Sequence, residues 1–126
     1  MAVKLIKSQN APAPIGPYSQ AVEVNGFIFT SGQIALTANG ELIQEDITAQ
    51  SKQVFDNLSE VLNAAGSDLD HVVKTTIYLK NMSDFGKVNE IYANYFGKSL
   101  PARSTVEVSR LPKDVLVEVD CIAIKK

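Results

Sequence analysis

Two charged residues near the carboxyl end of the chain could belong to a site for a small organic acid. Arg103 carries a planar guanidinium, which can pair with a carboxylate through two parallel hydrogen bonds. Glu118 carries a carboxylate, which could be one of the polar groups of the same site. Both lie in segments rich in β-branched residues, and this pattern predicts strands over 103–109 and 115–124.

We interpret these two strands as a hairpin with one apolar face and one mixed face, because successive strand side chains point to opposite faces. The register that we expect brings Glu107 near Glu118 and Thr105 near Asp120. The apolar face would contain Val106, Val108, Val117, Val119, Cys121 and Ala123. The mixed face would contain Arg103, Thr105, Glu107, Ser109, Glu118 and Asp120, with Leu116, Ile122 and Ile124.

The mixed face is open to two interpretations. Apolar residues around a few polar groups are typical of a small-molecule cleft, here one completed by another subunit. Charges of both signs are equally typical of a solvated surface with salt bridges. The pattern of residues does not decide between these alternatives.

The first part of the chain predicts a loop followed by a β-hairpin. Residues 9–17 contain three of the five prolines and should form an ordered irregular loop, because proline lacks the N–H that a sheet requires. Residues 21–24 and 27–30 flank Asn25-Gly26, a pair that accepts the positive φ angles of a type I′ turn.

Two amphipathic helices are predicted further along, separated by a strand. The first covers 47–65, with Asp46 as its N-cap and Gly66 just past its end. The second covers 84–96 and is capped by Ser83. Its inward residues are Phe85, Val88, Ile91, Tyr92, Tyr95 and Phe96. The strand between the helices covers 72–80 and presents Val73, Thr75, Ile77 and Leu79 on one face.

The resulting order, β-β-α-β-α-β-β, predicts an α+β fold. Because each helix is apolar on one face only, both should cover the same side of a mixed sheet. The chain has 126 residues, which is the usual length of one domain, so we expect residues 1–126 to form one unit.

Composition argues against several classes of protein. Twelve basic and fourteen acidic residues give a net charge of −2, unlike the basic surfaces that bind nucleic acid. No apolar run approaches the roughly 20 residues of a membrane helix, and Lys4 and Lys7 interrupt any secretory signal. We therefore expect a cytoplasmic protein. The lone Cys121 should be a buried apolar residue and the lone His71 a polar loop residue, so neither a metal nor a cofactor is expected.

The chain resembles, along nearly its whole length, the Rid family (reactive intermediate deaminases, also called YjgF-type). The resemblance rests on Ile15-Gly16-Pro17-Tyr18-Ser19-Gln20, Thr30-Ser31-Gly32-Gln33, Pro101-Ala102-Arg103-Ser104, Leu111-Pro112-Lys113-Asp114 and Val117-Glu118-Val119-Asp120. It implies a chorismate-mutase-like fold assembled as a homotrimer around a central barrel, with ligand sites between subunits. It also implies hydrolysis of 2-imino acids, such as 2-iminobutanoate and 2-iminopropanoate, or of their enamine tautomers, to 2-oxo acids and ammonia.

The resemblance also implies roles for particular residues. Arg103 matches the arginine that holds the substrate carboxylate, and Glu118 matches the glutamate that orients or activates water. Thr105 stands where many deaminating members have cysteine, but its backbone N–H can still contact a ligand, and imine hydrolysis needs no thiol. The positions that match the lining of the cleft are Tyr18, Ser31, Gly32 and Asn89.

Two other functions are compatible with the resemblance. A regulatory module that binds 2-oxo acids without turnover would use the same arginine. A ribonuclease-type translation inhibitor is disfavoured by the net charge and by the presence of a single histidine.

Overall fold

The computed structural model describes residues 2–126, which are organised around one six-stranded mixed sheet. The strand order is β1-β2-β3-β6-β4-β5, with β4 and β5 parallel and all other neighbours antiparallel. The elements are β1 (Lys4–Ile6), β2 (Ala21–Val24), β3 (Phe27–Thr30), α1 (Ile47–Ala64), β4 (Val72–Leu79), α2 (Phe85–Phe96), β5 (Ala102–Glu107) and β6 (Val117–Ile124). The predicted α+β class is confirmed, and the short edge strand β1 was not predicted.

The hairpin and the first helix form as their local signals predict. Asn25 and Gly26 have φ angles of 52° and 80°, the positive values of a type I′ turn. The Asp46 side chain accepts a hydrogen bond from the backbone N–H of Ala49 at 3.0 Å, which caps α1. Gly66 has a φ of 78°, and the N–H of Ser67 donates to the carbonyl of Leu62, so α1 ends in a Schellman motif.

The prediction for β4 was wrong at its first residues. The pairing with β6 shifts between Val72 and Lys74, so the strand contains a β-bulge there. Val72 is therefore buried, whereas Val73 points outward and is 42% exposed. From Thr75 onward the predicted alternation holds, with Thr75, Ile77 and Leu79 buried.

The start of α2 was also predicted wrongly. Ser83 lies inside a single 3-10 turn, Met82–Asp84, and does not cap the helix. The first N–H group of this turn is capped by a side chain of β5 instead: the Glu107 carboxylate accepts a hydrogen bond from the N–H of Met82 at 2.7 Å. A cap supplied by a distant strand has no signal in the local sequence.

The hydrophobic core lies between the two helices and one face of the sheet. Phe55 of α1 and Phe96 of α2 pack with the strand residues Ile77, Val117 and Val119, all of them essentially inaccessible to solvent. Neither α1 nor α2, the two α-helices of the described residues, covers the opposite sheet face, where several large apolar side chains are exposed, among them Phe27, Phe29, Val106 and Ile124. Within residues 2–126, no helix has the length and hydropathy needed to span a membrane.

The predicted hairpin of the last two strands was wrong, because β4 lies between β5 and β6. The connection does not fold back on β5 but crosses the end of β4. It is anchored there by the N–H of Val108, which donates to Leu79, and by the carbonyl of Leu116, which accepts from Lys80. Leu111 and Val115 of this connection are buried against Ile34 and Leu36.

The inserted strand also overturns the predicted sorting of side chains onto faces. Thr75 pairs with both Arg103 and Cys121, and Tyr78 pairs with both Val106 and Glu118. Because residues paired across strands share a face, Arg103 lies on the helix-covered face, as do Thr105 and Glu107. Glu118 lies on the opposite face, as do Asp120 and Val106. Within one chain, Arg103 and Glu118 are therefore on opposite sides of the sheet.

Candidate functional site

Four of the residues singled out in the sequence line one open cleft of about 390 Å³, which we call the Glu118 cleft. They are Tyr18, Ser31, Gly32 and Glu118. The rest of its lining is mainly apolar and consists of Pro12, Ala13, Ile15, Gln20, Gln33, Ile34, Leu36 and Pro112. An apolar cleft with a few polar groups is typical of a small-molecule site.

Gln20 holds the proline-rich wall of the cleft in place. Its buried side chain accepts a hydrogen bond from the N–H of Ser8 at 2.6 Å and donates to the carbonyl of Pro12 at 2.8 Å. Prolines cannot donate backbone hydrogen bonds, so the loop depends on such side-chain partners. The sequence interpretation gave Gln20 no role, because the loop positions that it bonds are not apparent from spacing.

Ser31 and Tyr18 are oriented by the backbone around them. The Ser31 hydroxyl donates to the carbonyl of Ser19 at 2.6 Å, and its N–H donates to the carbonyl of Gln20 at 2.9 Å. The Tyr18 hydroxyl accepts a hydrogen bond from the N–H of Ile15 at 3.3 Å, while its ring stays exposed to the cleft.

Gly32 allows the Glu118 carboxylate to lie directly against its backbone. After β3 ends, the chain runs alongside β6, and Gln33 exchanges two backbone hydrogen bonds with Val119. A Cβ on Gly32 would lie 2.7 Å from the carboxyl carbon of Glu118 and closer still to one of its oxygens. Real Cβ atoms do not come this close to other heavy atoms, so any side chain here would displace the carboxylate.

The surroundings of Glu118 favour its protonated form. Burial, and secondarily the negative charge of Asp120, raise the pKa of Glu118 above its ordinary value. Burial likewise raises the pKa of Asp120, although the Tyr78 hydroxyl, which donates to Asp120 Oδ2 at 3.1 Å, and the nearby Lys74 oppose this effect. A carboxyl with a raised pKa can exchange a proton with substrate or water more readily near neutral pH.

Arg103 occupies a different environment on β5, at the edge of the sheet. Its guanidinium carbon lies 4.8 Å from the ring centre of Tyr92 and 5.4 Å from that of Phe85. The ion pairs within residues 2–126 involve other cations, so no carboxylate of this described part of the chain is paired with Arg103. The guanidinium is therefore available to an external anion.

Thr105 and Asn89 belong to the Arg103 side of the sheet and do not line the Glu118 cleft. Thr105 shares a face with Arg103, and its buried hydroxyl has no hydrogen-bond partner among residues 2–126. Asn89 lies on α2, one turn after Phe85, and is half-buried. The predicted residues thus form two groups, which the sheet separates within one chain.

His71 and Cys121, to which the sequence interpretation gave structural roles only, lie outside the Glu118 cleft. His71 Nδ1 is 2.6 Å from Asp68 Oδ1 in a short 3-10 turn, as a polar loop residue should be. Cys121 is buried in the core, and burial raises the pKa of its thiol to about 12. No cluster of three or more potential metal-ligating side chains occurs among the residues that the structure describes.

Comparison with known proteins identifies relatives over almost the whole chain. Residues 8–125 match the profile of a family described as "Endoribonuclease L-PSP". A mouse protein named 2-iminobutanoate/2-iminopropanoate deaminase is 49% identical over 123 residues, which cover 97% of this chain and 91% of the mouse protein.

Two solved structures share the fold closely. A Yersinia pestis protein of the conserved Rid family, YyfA, is 50% identical, with a TM-score of 0.95 over 98% of this chain and 99% of that one. Escherichia coli TdcF with bound serine is 37% identical, with a TM-score of 0.92 over 98% and 99% of the two chains. On these matches, the chain belongs to the Rid family, the YjgF-type family whose profile carries the endoribonuclease description.

Proposed function

We propose that this protein is a deaminase that hydrolyses 2-imino acids, such as 2-iminobutanoate and 2-iminopropanoate, to 2-oxo acids and ammonia. The observation that carries the proposal is the pair of groups just described, an arginine that pairs with no carboxylate of residues 2–126 and a glutamate of raised pKa in an open cleft. The name of the mouse relative, which is 49% identical, supports the same chemistry.

The proposed reaction needs only water and the side chains of Arg103 and Glu118, each from one copy of this protein. Arg103 pairs with the substrate carboxylate through its two in-plane N–H groups. Glu118 accepts a proton from a water molecule as its oxygen attacks the C2 carbon of the iminium. The same carboxyl returns the proton to the amino nitrogen of the resulting hydroxyl-bearing intermediate. It then accepts the hydroxyl proton as the C2=O double bond forms and the C–N bond breaks, so that the 2-oxo acid and ammonia are released and the remaining proton passes to ammonia, giving ammonium.

We further propose that the site is completed between subunits of a homotrimer. Arg103 and Glu118 lie on opposite faces of one sheet, so a single chain cannot direct both at one small substrate. The helix-free face also leaves Phe27, Phe29 and Ile124 exposed, and an apolar surface of this kind is typical of an interface. We propose that in this trimer Arg103, at the edge of one subunit's sheet, faces the Glu118 cleft of the next subunit.

The activity is tested with 2-iminobutanoate produced continuously from threonine by a pyridoxal-phosphate-dependent dehydratase. We expect the wild-type protein to accelerate loss of the imine at substoichiometric concentration. Acceleration no greater than that of an equal mass of albumin would contradict the proposed function.

The placement between subunits is tested by mixing two inactive variants. Arg103→Ala and Glu118→Gln, co-expressed with different tags and isolated as mixed trimers through both tags, should recover about a third of wild-type activity, because every mixed trimer, of either composition, has about one site in three that joins an intact Arg103 to an intact Glu118. A site built within one chain would give no recovery. A monomer in sedimentation at micromolar concentration would also contradict the proposal.

Replacing Gly32 by alanine should impair turnover more than folding. The new methyl group would push the Glu118 carboxylate away, and a misplacement of about 1 Å should lower kcat by roughly tenfold to 100-fold. The rate is measured with 2-iminobutanoate, and folding by thermal denaturation. Gly86→Ala is the matched control, because a Cβ there meets nothing within 4 Å. Wild-type kcat in Gly32→Ala would show that the carboxylate position is unimportant.

Replacing Asp120 by asparagine should move the acid limb of the kcat/KM profile to lower pH. The Asp120 charge contributes to the raised pKa of Glu118, so its removal lets Glu118 ionise, and act as a base, in more acidic solution. The profile is measured with a buffer series of constant ionic strength. Asp70→Asn, an exposed position outside the cleft, should leave the limb unchanged. An upward shift in Asp120→Asn would contradict the assignment.

A regulatory module that binds 2-oxo acids is the second candidate, favoured by the serine bound to the related TdcF structure. Arg103 could hold such a ligand without turnover. Wild-type protein that binds 2-oxobutanoate in calorimetry but does not accelerate imine loss would support this alternative. Ribonuclease activity, to which the family description refers, is argued against by the net charge of −2 and the single histidine.

A further inference from the structure

We propose that Phe85 and Tyr92 are positioning residues that hold the Arg103 guanidinium between their rings, so that its in-plane N–H groups are directed at the substrate carboxylate. This inference rests on the proposed function in one respect, namely that Arg103 binds a carboxylate. The two rings, from α2, will be called the aromatic clamp.

The Tyr92 side of the aromatic clamp is rigid. Tyr92 is only 8% exposed, and its hydroxyl is 2.8 Å from the hydroxyl of the fully buried Thr75. Its ring also packs against Phe96, at 4.5 Å between centres, and edge-on against Phe55 at 5.8 Å. A ring held at its hydroxyl and at its face offers a fixed surface to the guanidinium 4.8 Å away.

The Phe85 side of the clamp is open to solvent. Phe85 is the first residue of α2 and is 36% exposed, and its ring centre lies 5.4 Å from the guanidinium carbon. The hydrogen bond from the N–H of Met82 to Glu107 ties the turn that precedes Phe85 to β5, the strand that carries Arg103. The turn that positions the Phe85 ring is therefore fixed to β5, the same strand that carries the Arg103 guanidinium.

Contact with aromatic faces suits an arginine that must bind an anion. A cation–π contact uses the flat face of the guanidinium, whereas its hydrogen-bond donors lie in the plane and remain free. A second carboxylate would hold the arginine equally well, but it would occupy the same donors and repel the substrate. The aromatic clamp therefore restricts the rotamers of the Arg103 side chain before the ligand binds, so less conformational entropy is lost on binding. It does so without occupying the hydrogen-bond donors that the ligand needs.

The test measures binding of 2-oxobutanoate by titration calorimetry, with steady-state kinetics on 2-iminobutanoate. Phe85→Leu keeps apolar bulk but removes the ring, and it should weaken binding roughly threefold to tenfold, the range of a partly exposed cation–π contact. KM should rise by a similar factor, with kcat within about twofold, because the contact acts on binding. Phe85→Tyr, which restores a ring, should bind as the wild type does.

Two further variants separate positioning from stability. Tyr92→Phe loses the hydrogen bond to Thr75 but keeps its ring, so we expect a lower melting temperature with nearly wild-type binding. Tyr95→Phe, on the same helix but not against Arg103, should leave binding unchanged. Wild-type affinity in Phe85→Leu, or equal weakening in Phe85→Tyr, would overturn the clamp.

Failure of the aromatic clamp can be distinguished from failure of the proposed deaminase activity. A wild-type protein that binds 2-oxobutanoate but does not hydrolyse the imine would refute the deaminase and leave the clamp to be judged by the binding series. A wild-type protein that does not bind 2-oxobutanoate would overturn the clamp as well, since Arg103 would then hold no carboxylate.

Discussion

Glu118→Gln is expected to lower kcat for 2-iminobutanoate hydrolysis by roughly 100-fold or more, which is the usual contribution of a positioned general base. Glutamine has nearly the same shape as glutamate, so it should fit against Gly32, but its amide cannot accept the proton from water. Binding of 2-oxobutanoate should persist, because Arg103 supplies the charge that holds the carboxylate.

The Glu118→Gln variant should not lose stability once the pH exceeds the folded-state pKa of Glu118. A carboxyl whose pKa is raised in the folded state stabilises the fold fully below its unfolded pKa, and this contribution is lost as the pH rises through the folded pKa. Above its folded-state pKa, Glu118 therefore contributes no stability that glutamine would remove, and the melting temperature there should be unchanged or higher. Glu41→Gln, at an exposed turn, is the matched control for charge removal. A kcat close to that of the wild type in Glu118→Gln would rule out the proposed base.

Arg103→Ala is expected to lower kcat/KM for 2-iminobutanoate by roughly 30-fold to several thousandfold. Loss of one partner of a close charged pair costs about 2–5 kcal/mol, and each 1.4 kcal/mol is about tenfold. Arg103→Lys should recover only part of this loss, because an ammonium does not reproduce the planar pair of donors and fits the aromatic clamp less well. Initial rates at subsaturating substrate give kcat/KM directly.

The chain contains its own matched control for this substitution. Arg110, the other arginine, is exposed and forms an ion pair with Asp114, 2.8 Å from Nε to Oδ1. Exposed pairs contribute little, so Arg110→Ala should change kcat/KM by less than about twofold. If Arg110→Ala reduced the rate as strongly as Arg103→Ala, general loss of positive charge and not a specific carboxylate contact would be responsible.

Local signals in the sequence were sufficient for most elements of the fold. The type I′ turn at Asn25-Gly26 and the capped ends of α1 depend on a few neighbouring residues, and the structure has them as predicted. The bulge after Val72 and the turn before Phe85 depend on hydrogen bonds to distant strands. Such partners have no signature in the neighbouring sequence, so those two predictions were wrong.

The sequence by itself determined which side chains are available for binding and catalysis. It also carries the family resemblance that identified Arg103, Glu118 and Gly32 as candidate site residues. Only the tertiary structure decided how they are arranged. Alternation along a strand tells which residues share a face within that strand, but not which strand lies beside it. Insertion of β4 between β5 and β6 therefore separated Arg103 from Glu118 across the sheet, and it set Arg103 against two rings of α2. Strand order is fixed by contacts between residues far apart in the chain, which periodicity does not encode.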